Sequence, residues 1–203
     1  MAGISFSENH EAELISFENG KALAAVSDPY GEALRWVYSL GPIPTKEVVI
    51  IGLGSGFHVA ALSEIDPDLK ITVVDSRSSL TSIFRAQFKD LADRVEIVTV
   101  TDCEDLFKSD FYRDLLQSKP YVLSFRECWG EQVEFFAEIF AHLTGRSSDS
   151  VRYHLEDLGI NMKGVYFDSS KLTSIKDILG TVDTVQASEK HKQLFMTLGE
   201  LIK

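Results

Sequence analysis

Short apolar runs alternate with longer amphipathic stretches between residues 46 and 145 of the chain. Unbroken runs of Val, Ile and Leu are typical of strands that are buried on both faces of a parallel sheet. Apolar residues at helical spacing between these runs predict helices that carry the chain back across the sheet. The pattern therefore predicts an α/β fold with a doubly wound, mostly parallel sheet of the Rossmann type, in which the first two strands are adjacent. The predicted strands are 48–51, 71–74, 94–100 and 121–125, and the helices after the second, third and fourth strands are 79–91, 104–118 and 131–143.

The N-terminal part of the chain has a different pattern. Two apolar segments on either side of Asn19-Gly20 predict a β-hairpin, because Asn-Gly is the preferred pair for a tight two-residue turn. A short amphipathic helix is expected at 32–40, and the hairpin should lie outside the parallel sheet or at its edge. The resulting division is an N-terminal hairpin and helix extension at 1–45 and a Rossmann-like domain at 46–203, which has its core at 46–145 and a helical embellishment at 146–203.

Three alternating glycines follow the first predicted strand and precede a helix. Gly52, Gly54 and Gly56 allow a sharp turn and the close approach of a ligand, while the free N–H groups of the next helix offer partners to polar ligand atoms. The spacing G-x-G-x-G is one residue shorter than the dinucleotide fingerprint. This favours a nucleoside-type cofactor such as S-adenosylmethionine over a pyrophosphate. The alternative is a tight strand-to-helix turn that needs glycine with nothing bound.

Asp75 lies at the end of the second predicted strand, about 20 residues beyond the glycines. An acidic residue at that place can accept hydrogen bonds from a ribose hydroxyl pair, and ligands of parallel sheets bind at the carboxyl ends of the strands. The alternative is that Asp75 caps the helix that begins near Ser78.

Composition narrows the possible partners. The chain has 203 residues, of which 44% are hydrophobic, and a formal net charge of −11. Nucleic acid is not an expected partner, because phosphate binding needs a local basic patch and the sequence has no basic block interleaved with aromatic residues. The apolar runs are too short to span a membrane, and Cys103 and Cys128 do not have the spacing of paired metal ligands. The sequence thus predicts a reduced, cytoplasmic protein with no membrane or metal partner.

Residues 46–145 resemble the class I S-adenosylmethionine-dependent methyltransferases in the order of strand, G-x-G-x-G loop, helix, strand and acidic residue. In that family the loop passes the amino-acid and ribose parts of the cofactor, the acid after the second strand holds the ribose, and an acid after the third strand bonds the adenine. Ile50 stands where the family usually has a further acid. The resemblance implies cofactor contacts for Gly52, Gly54, Gly56, Asp75 and Asp102.

A second resemblance covers roughly residues 20–80. The segment Asp28-Pro-Tyr-Gly-Glu-Ala33 precedes Gly52-Leu-Gly-Ser-Gly-Phe-His58. These segments are similar to the D-P-x-x-E-A and G-L-G-x-G-[YF]-H motifs in the N-terminal domain of the motility accessory factor family of flagellin-modifying glycosyltransferases. An aliphatic residue also precedes the loop in that family. The resemblance implies a Rossmann-like accessory domain and does not imply sugar transfer by this chain.

Several further residues have two interpretations. His58 can contact a ligand carboxylate or pack at the start of its helix, and Asp102 can bond adenine or serve as an ordinary loop acid. Arg126 and Glu127 follow the fourth strand, where a methyltransferase places substrate-handling residues. Cys128 is not expected to be a nucleophile, because no His is placed as its base. No catalytic residue is identified, and Trp129 with Phe135, Phe136 and Phe140 are expected in the core.

The sequence therefore leaves three functions open. The first is an S-adenosylmethionine-binding, methyltransferase-like protein with an unknown acceptor, since methyl transfer needs chiefly the alignment of acceptor and sulfonium. The second is a non-catalytic Rossmann-like accessory domain in a surface- or flagellum-modification system, where a protein partner takes the place of the acceptor. The third, a NAD-type oxidoreductase, is disfavoured by the shortened glycine spacing.

Overall fold

The structure is a computed structural model that describes residues 3–91, 93–144, 189–190, 193 and 196–197. The chain divides into two compact units, Met1–Phe140 and Ala141–Lys203. The second unit is described only at residues 141–144, where a helix ends, and at the isolated positions beyond 188, which are helical. Most of the predicted embellishment at 146–203 therefore lies outside the described residues.

Strands and helices alternate in the described part of the chain after an all-strand beginning. The strands are β1 (Ile4–Glu8), β2 (Leu14–Glu18), β3 (Lys21–Ala22), β4 (Glu47–Ile51), β5 (Lys70–Asp75), β6 (Val95–Thr99) and β7 (Tyr121–Ser124). The helices are α1 (Pro29–Ser39), α2 (Phe57–Ile65), α3 (Ser78–Gln87), α4 (Cys103–Lys108), α5 (Asp110–Ser118) and α6 (Val133–Leu143).

The last four strands form one parallel sheet in the order β6-β5-β4-β7. Ile51 pairs with Val74 on one side and with Ser124 on the other. The prediction of four parallel neighbours, with the first two adjacent, is confirmed. The chain moves outward from β4 to β6 and then returns to place β7 on the other side of β4. This reversal of strand order creates a switch point between β4 and β7, where parallel sheets usually bind ligands.

The main hydrophobic core contains one face of this sheet. Val48 and Ile50 of β4 and Val73 of β5 belong to it, together with buried residues of α1, α2 and α3. Helix α2 is buried along most of its length, from Phe57 to Ser63. A helix with apolar residues on all sides is stable only when it is covered in this way.

The N-terminal strands form a separate antiparallel sheet in the order β1-β2-β3. Asn19 and Gly20, which connect β2 to β3, have φ angles of 48° and 83°. Two positive φ values in succession are the geometry for which Asn-Gly is preferred. The predicted hairpin and its position outside the parallel sheet are confirmed, and β1 is an additional strand that the sequence pattern did not predict.

The predicted helix at 104–118 is instead two helices. Ser109 ends α4 and is also the N-cap of α5, where its hydroxyl accepts from the N–H of Tyr112 at 3.1 Å. Serine favours such a cap because its side chain satisfies an N–H that has no partner within the helix. A smaller difference is that α3 ends at Gln87 and a separate 3-10 turn covers Lys89–Leu91, where one helix was predicted at 79–91.

Candidate functional site at the carboxyl edge of the sheet

The carboxyl ends of β4, β5 and β7 meet at the switch point. The loop after β4, residues 52–56, is here called the glycine loop. Its first N–H, from Gly52, donates to the carbonyl of Val74 at 2.8 Å, and the N–H of Gly56 closes the turn on Leu53, also at 2.8 Å. A ligand at the switch point would lie between this loop, Asp75 and the segment after β7, a region here called the crevice.

The protein's own atoms lie against all three glycines. A Cβ atom on Gly54 would come within 2.4 Å of the Cβ of Cys128 and 2.9 Å of the carbonyl oxygen of Leu23. A Cβ on Gly52 would lie 2.7 Å from the Sγ of Cys128, and one on Gly56 would lie 2.4 Å from an aromatic ring of α3. Real Cβ atoms do not approach other atoms so closely. Packing within the protein is therefore sufficient to explain why glycine stands at these positions.

The carboxylate of Asp75 is saturated by hydrogen bonds from the protein. Its Oδ2 accepts from the backbone N–H of Leu53 at 2.6 Å and from Nη2 of Arg77 at 2.7 Å. Its Oδ1 accepts from the backbone N–H of Arg77 at 2.8 Å and from Nε of the same residue at 2.9 Å. A carboxylate offers about four acceptor positions, and all are used here. Asp75 is also only 1% exposed, so it offers no free acceptor to a ribose hydroxyl pair.

Arg77 fills the space beside Asp75. Its Nη2 also donates to the carbonyl of Cys128 at 3.0 Å, and its guanidinium carbon lies 5.1 Å from the ring centre of Phe136. Burial acts to lower the pKa of Arg77, but the hydrogen bonds and charge of Asp75 outweigh it and the pKa is raised. Nη1 is buried without a hydrogen-bond partner and has only an ion pair with Glu18, at 3.5 Å.

Glu18 connects the N-terminal sheet to this network. It is fully buried at the end of β2, and its Oε2 accepts from the backbone N–H of Glu131 at 2.7 Å. Its Oε1 accepts from the side-chain amide of Gln132 at 2.8 Å. A buried carboxylate is tolerated only when it is paired and hydrogen-bonded, and here Arg77 and the segment after β7 supply both.

Strand β2 lies directly against the glycine loop. The N–H of Ser16 donates to the hydroxyl of Ser55 at 2.9 Å, and the N–H of Leu14 donates to the side chain of Gln87 at 2.9 Å. Strand β3 is too short to pair with these two residues of β2. Side chains of the glycine loop and of α3 accept from their N–H groups instead. The N-terminal sheet therefore packs against the glycine loop, at which the sequence predicted a cofactor.

His58 is packed among aromatic rings. It is 1% exposed, and its ring centre lies 4.8 Å from that of Phe125 and 5.5 Å from that of Trp36. Its Nε2 lies 3.1 Å from the carbonyl of Gly52, so this nitrogen carries the proton and donates. Burial lowers the pKa of His58 to about 4, despite the opposing effects of Gly52 and Asp75. The side chain is therefore neutral at pH 7, and its position matches packing at the helix start.

The other candidate residues are not among those that donate to the Asp75 carboxylate. Asp102 is exposed and caps α4, since its side chain accepts from the N–H of Asp105 at 3.1 Å. Arg126 and Glu127 are exposed in the 3-10 turn after β7, and the guanidinium of Arg126 lies 5.6 Å from the ring centre of Trp129. Asp75 itself is not the N-cap of α3, because Arg77 occupies that position without a side-chain capping bond.

Cys128 is not placed for nucleophilic chemistry. It is fully buried, and its thiol donates to the carbonyl of Phe125 at 2.9 Å. Burial, with a further contribution from Asp75, raises its pKa well above the usual thiol value. The thiolate that would be needed for attack is therefore disfavoured.

Sequence reasoning assigned no role to Glu18 or Arg77, which close the crevice. The available signals were an acidic residue at the end of an apolar strand and a basic residue two positions after Asp75. A charged residue that interrupts a buried pattern is often paired with an opposite charge that is distant in sequence. Trp129 and Phe136 are buried as the sequence predicted, and the indole N–H of Trp129 donates to the carbonyl of Ile51 at 2.8 Å.

A separate cavity of about 180 Å³ lies near the amino ends of β4 and β5. Its polar lining includes Glu47, Thr72, Glu96 and Asp114, and Thr72 donates to Glu96 at 3.2 Å. Parallel sheets usually bind ligands at the carboxyl ends of their strands, and this cavity lies at the amino ends. Its position therefore does not indicate a functional site.

In the arrangement shown, the residues at the switch point do not fit an adenosyl cofactor. The ribose acceptor is fully used, and protein atoms occupy the space beside each glycine. Comparisons with protein-family models and with curated proteins find no match. Within the described residues, no helix has the length and apolar character needed to cross a membrane.

Proposed function

We propose that the chain is a non-catalytic Rossmann-like accessory domain whose cofactor crevice is filled by its own side chains. The observation that carries this proposal is the saturation of Asp75, which accepts four hydrogen bonds, three of them from Arg77. Arg77 thus takes up the acceptors that a bound ribose would need.

The depth of this packing supports the proposal. Displacing Arg77 would leave Asp75 and Glu18 buried without their cation, and removing one partner from a buried pair costs about 3–5 kcal/mol. A nucleoside ligand would have to offset that cost before it gained any affinity. An open crevice would therefore need a rearrangement of Arg77 together with the end of β2.

The larger assembly is proposed from the motifs alone. The segments from Asp28 to Ala33 and from Gly52 to His58 are similar to those of an accessory domain in flagellin-modifying proteins. In the structure the first segment begins α1, where the side chain of Asp28 accepts from the N–H of Gly31 at 2.9 Å. A surface- or flagellum-modification system is accordingly the setting that we propose for this domain.

The second candidate is an S-adenosylmethionine-binding, methyltransferase-like protein that acts on an unknown acceptor. The observation in its favour is the switch point, since the strand order reverses beside a loop with three glycines at positive φ. That topology places the loop where such folds bind ligands.

Calorimetric titration with S-adenosylhomocysteine separates the two candidates. We expect no binding heat at millimolar ligand, and no stabilisation by S-adenosylmethionine, NAD or sugar nucleotides in thermal unfolding. A ligand at one hundred times its dissociation constant would stabilise the fold by about 2.7 kcal/mol, which is easily detected. Saturable binding of S-adenosylhomocysteine by the wild-type chain would instead support the methyltransferase-like candidate.

A further inference from the structure

Strand β1 is the outer strand of the N-terminal sheet, and β2 separates it from the glycine loop. All four residues from Ser5 to Glu8 are exposed. Within the part of the chain that the structure describes, no further strand pairs with the outer side of β1. An unpaired strand edge presents N–H and C=O groups that can accept another extended segment.

The hydrogen bonds at both ends of β1 show which groups point outward. The N–H of Asn19 donates to the carbonyl of Gly3 at 2.9 Å, and the N–H of Asn9 donates to the carbonyl of Glu13 at 3.0 Å. Because bonding alternates along an antiparallel pair, the odd-numbered residues of β1 bond to β2. The N–H and C=O groups of the even-numbered residues therefore face the open edge; these residues are Ile4, Phe6 and Glu8.

This edge lacks two of the residues that commonly prevent pairing. The sequence Ile-Ser-Phe-Ser-Glu contains no proline and no lysine. Phe6, in the middle of the strand, is 37% exposed. Proteins commonly protect an edge strand with such residues or with a covering segment. An exposed aromatic residue adds apolar area for a neighbouring strand to bury.

The charge around β1 indicates which occupant fits. Glu8 and Glu11 are exposed, and the half-buried Glu13 lies directly before β2. No Lys or Arg occurs in residues 1–20, and the chain as a whole has a net charge of −11. A second copy would bring like charges together, whereas a basic segment would be attracted.

We propose that β1 is a docking edge for an extended, basic segment of a partner protein, which adds a fourth strand to the N-terminal sheet. The docking edge specifies what kind of partner the accessory domain binds, and it rests on the accessory function proposed above. Main-chain hydrogen bonds to the even-numbered residues give affinity, and Lys or Arg opposite Glu8 gives selectivity.

The first test uses two labelled peptides and the full chain in fluorescence anisotropy. The basic peptide is Lys-Lys-Thr-Val-Thr-Val-Thr, and its matched control has Glu in place of both Lys residues. We expect the basic peptide to bind at least about tenfold more tightly, with an affinity that falls as salt is raised, since exposed charges are screened. Equal binding of the two peptides, or binding of neither, overturns the proposal.

The second test uses the alternation along β1. Phe6→Pro removes an outward N–H, so we expect about tenfold weaker binding of the basic peptide with an unchanged unfolding midpoint. Phe6→Thr keeps the N–H and controls for the lost aromatic ring. Ser7→Pro removes an N–H that bonds to β2 and should lower the unfolding midpoint.

The other possible results of these experiments also support or overturn the docking edge. Unchanged peptide binding by Phe6→Pro overturns the docking edge. If neither peptide binds but light scattering shows a dimer that Phe6→Pro dissociates, a second copy is the occupant and the basic partner is wrong. The S-adenosylhomocysteine titration is independent, so a chain that binds both ligands refutes the closed crevice and leaves the docking edge standing.

Discussion

At the scale of single residues, the crevice is closed by a buried row of charges. Arg77 lies between Asp75, which it contacts at 2.7 Å, and Glu18, which it contacts at 3.5 Å. All three side chains are nearly or fully buried. The charges stabilise the fold only as a set, because each would be costly to bury without the others.

Replacing Asp75 with Ala should therefore destabilise the protein strongly. The change leaves the Arg77 guanidinium buried without its main partner, and we expect a loss of about 3–5 kcal/mol in the free energy of unfolding. Asp102→Ala is the matched control, since it removes an exposed acid that only caps α4 and should cost about 1 kcal/mol. Urea denaturation followed by circular dichroism measures both. Similar losses in the two variants would contradict the buried network.

His58 should make stability depend on pH. Its pKa in the folded protein is about 4, below the usual 6.5, so the unfolded chain binds more protons between these values. The contribution of neutral His58 is complete above pH 6.5 and is lost as pH falls towards 4, by up to about 1.4 kcal/mol per pH unit. Carboxylates titrate in the same window, so the quantity to measure is the slope for the wild type minus the slope for His58→Phe. Identical slopes between pH 7 and pH 5 would show that His58 is not buried as a neutral group.

At the scale of elements, the glycine loop and β2 act as one packed unit. Ser55 accepts from the N–H of Ser16, and the carbonyl of Leu23 would lie 2.9 Å from a Cβ on Gly54. The close approach of hairpin and loop is possible because the loop carries no side chain at this position.

Gly54→Ala tests this contact. The new Cβ would lie 2.4 Å from the Cβ of Cys128, and we expect a loss of about 2–3 kcal/mol in the free energy of unfolding, from overpacking and a positive φ together. Gly20→Ala also introduces a Cβ at positive φ, but nothing lies within 4 Å, so it should cost only about 1 kcal/mol. Equal losses, measured by thermal unfolding of both variants, would mean that backbone strain alone requires glycine in the loop.

At the scale of the first compact unit, two sheets of different type are joined by buried polar contacts. The parallel sheet supplies Asp75, the antiparallel sheet supplies Glu18 and the open edge of β1, and both sheets contribute to the main core, the second through Ile15. The joining contacts lie at the switch point, which such folds commonly use for ligands. The described part of the chain thus has a filled crevice and an exposed strand edge, and the proposed docking function lies at the strand edge.

Much of the fold could be predicted because its signals are local. The predicted strand at 48–51 is Glu47–Ile51, and the Asn19-Gly20 turn lies between two paired strands. Apolar runs and turn residues act through neighbours in sequence and do not require knowledge of distant partners. Strand β1 was missed because it has only two apolar residues, Ile4 and Phe6, and so short an alternation is hard to tell from a loop.

The sequence by itself determined the parallel α/β architecture, the hairpin and the position of the glycine loop beside Asp75. Only the tertiary structure decided what lies in the crevice, because Glu18, Arg77 and Gln132 are widely separated in sequence and meet only after folding. A glycine loop and an acid are compatible with a bound ribose or with a buried arginine, since both supply hydrogen-bond donors to the same carboxylate. The occupant depends on long-range packing, for which periodicity and spacing contain no information.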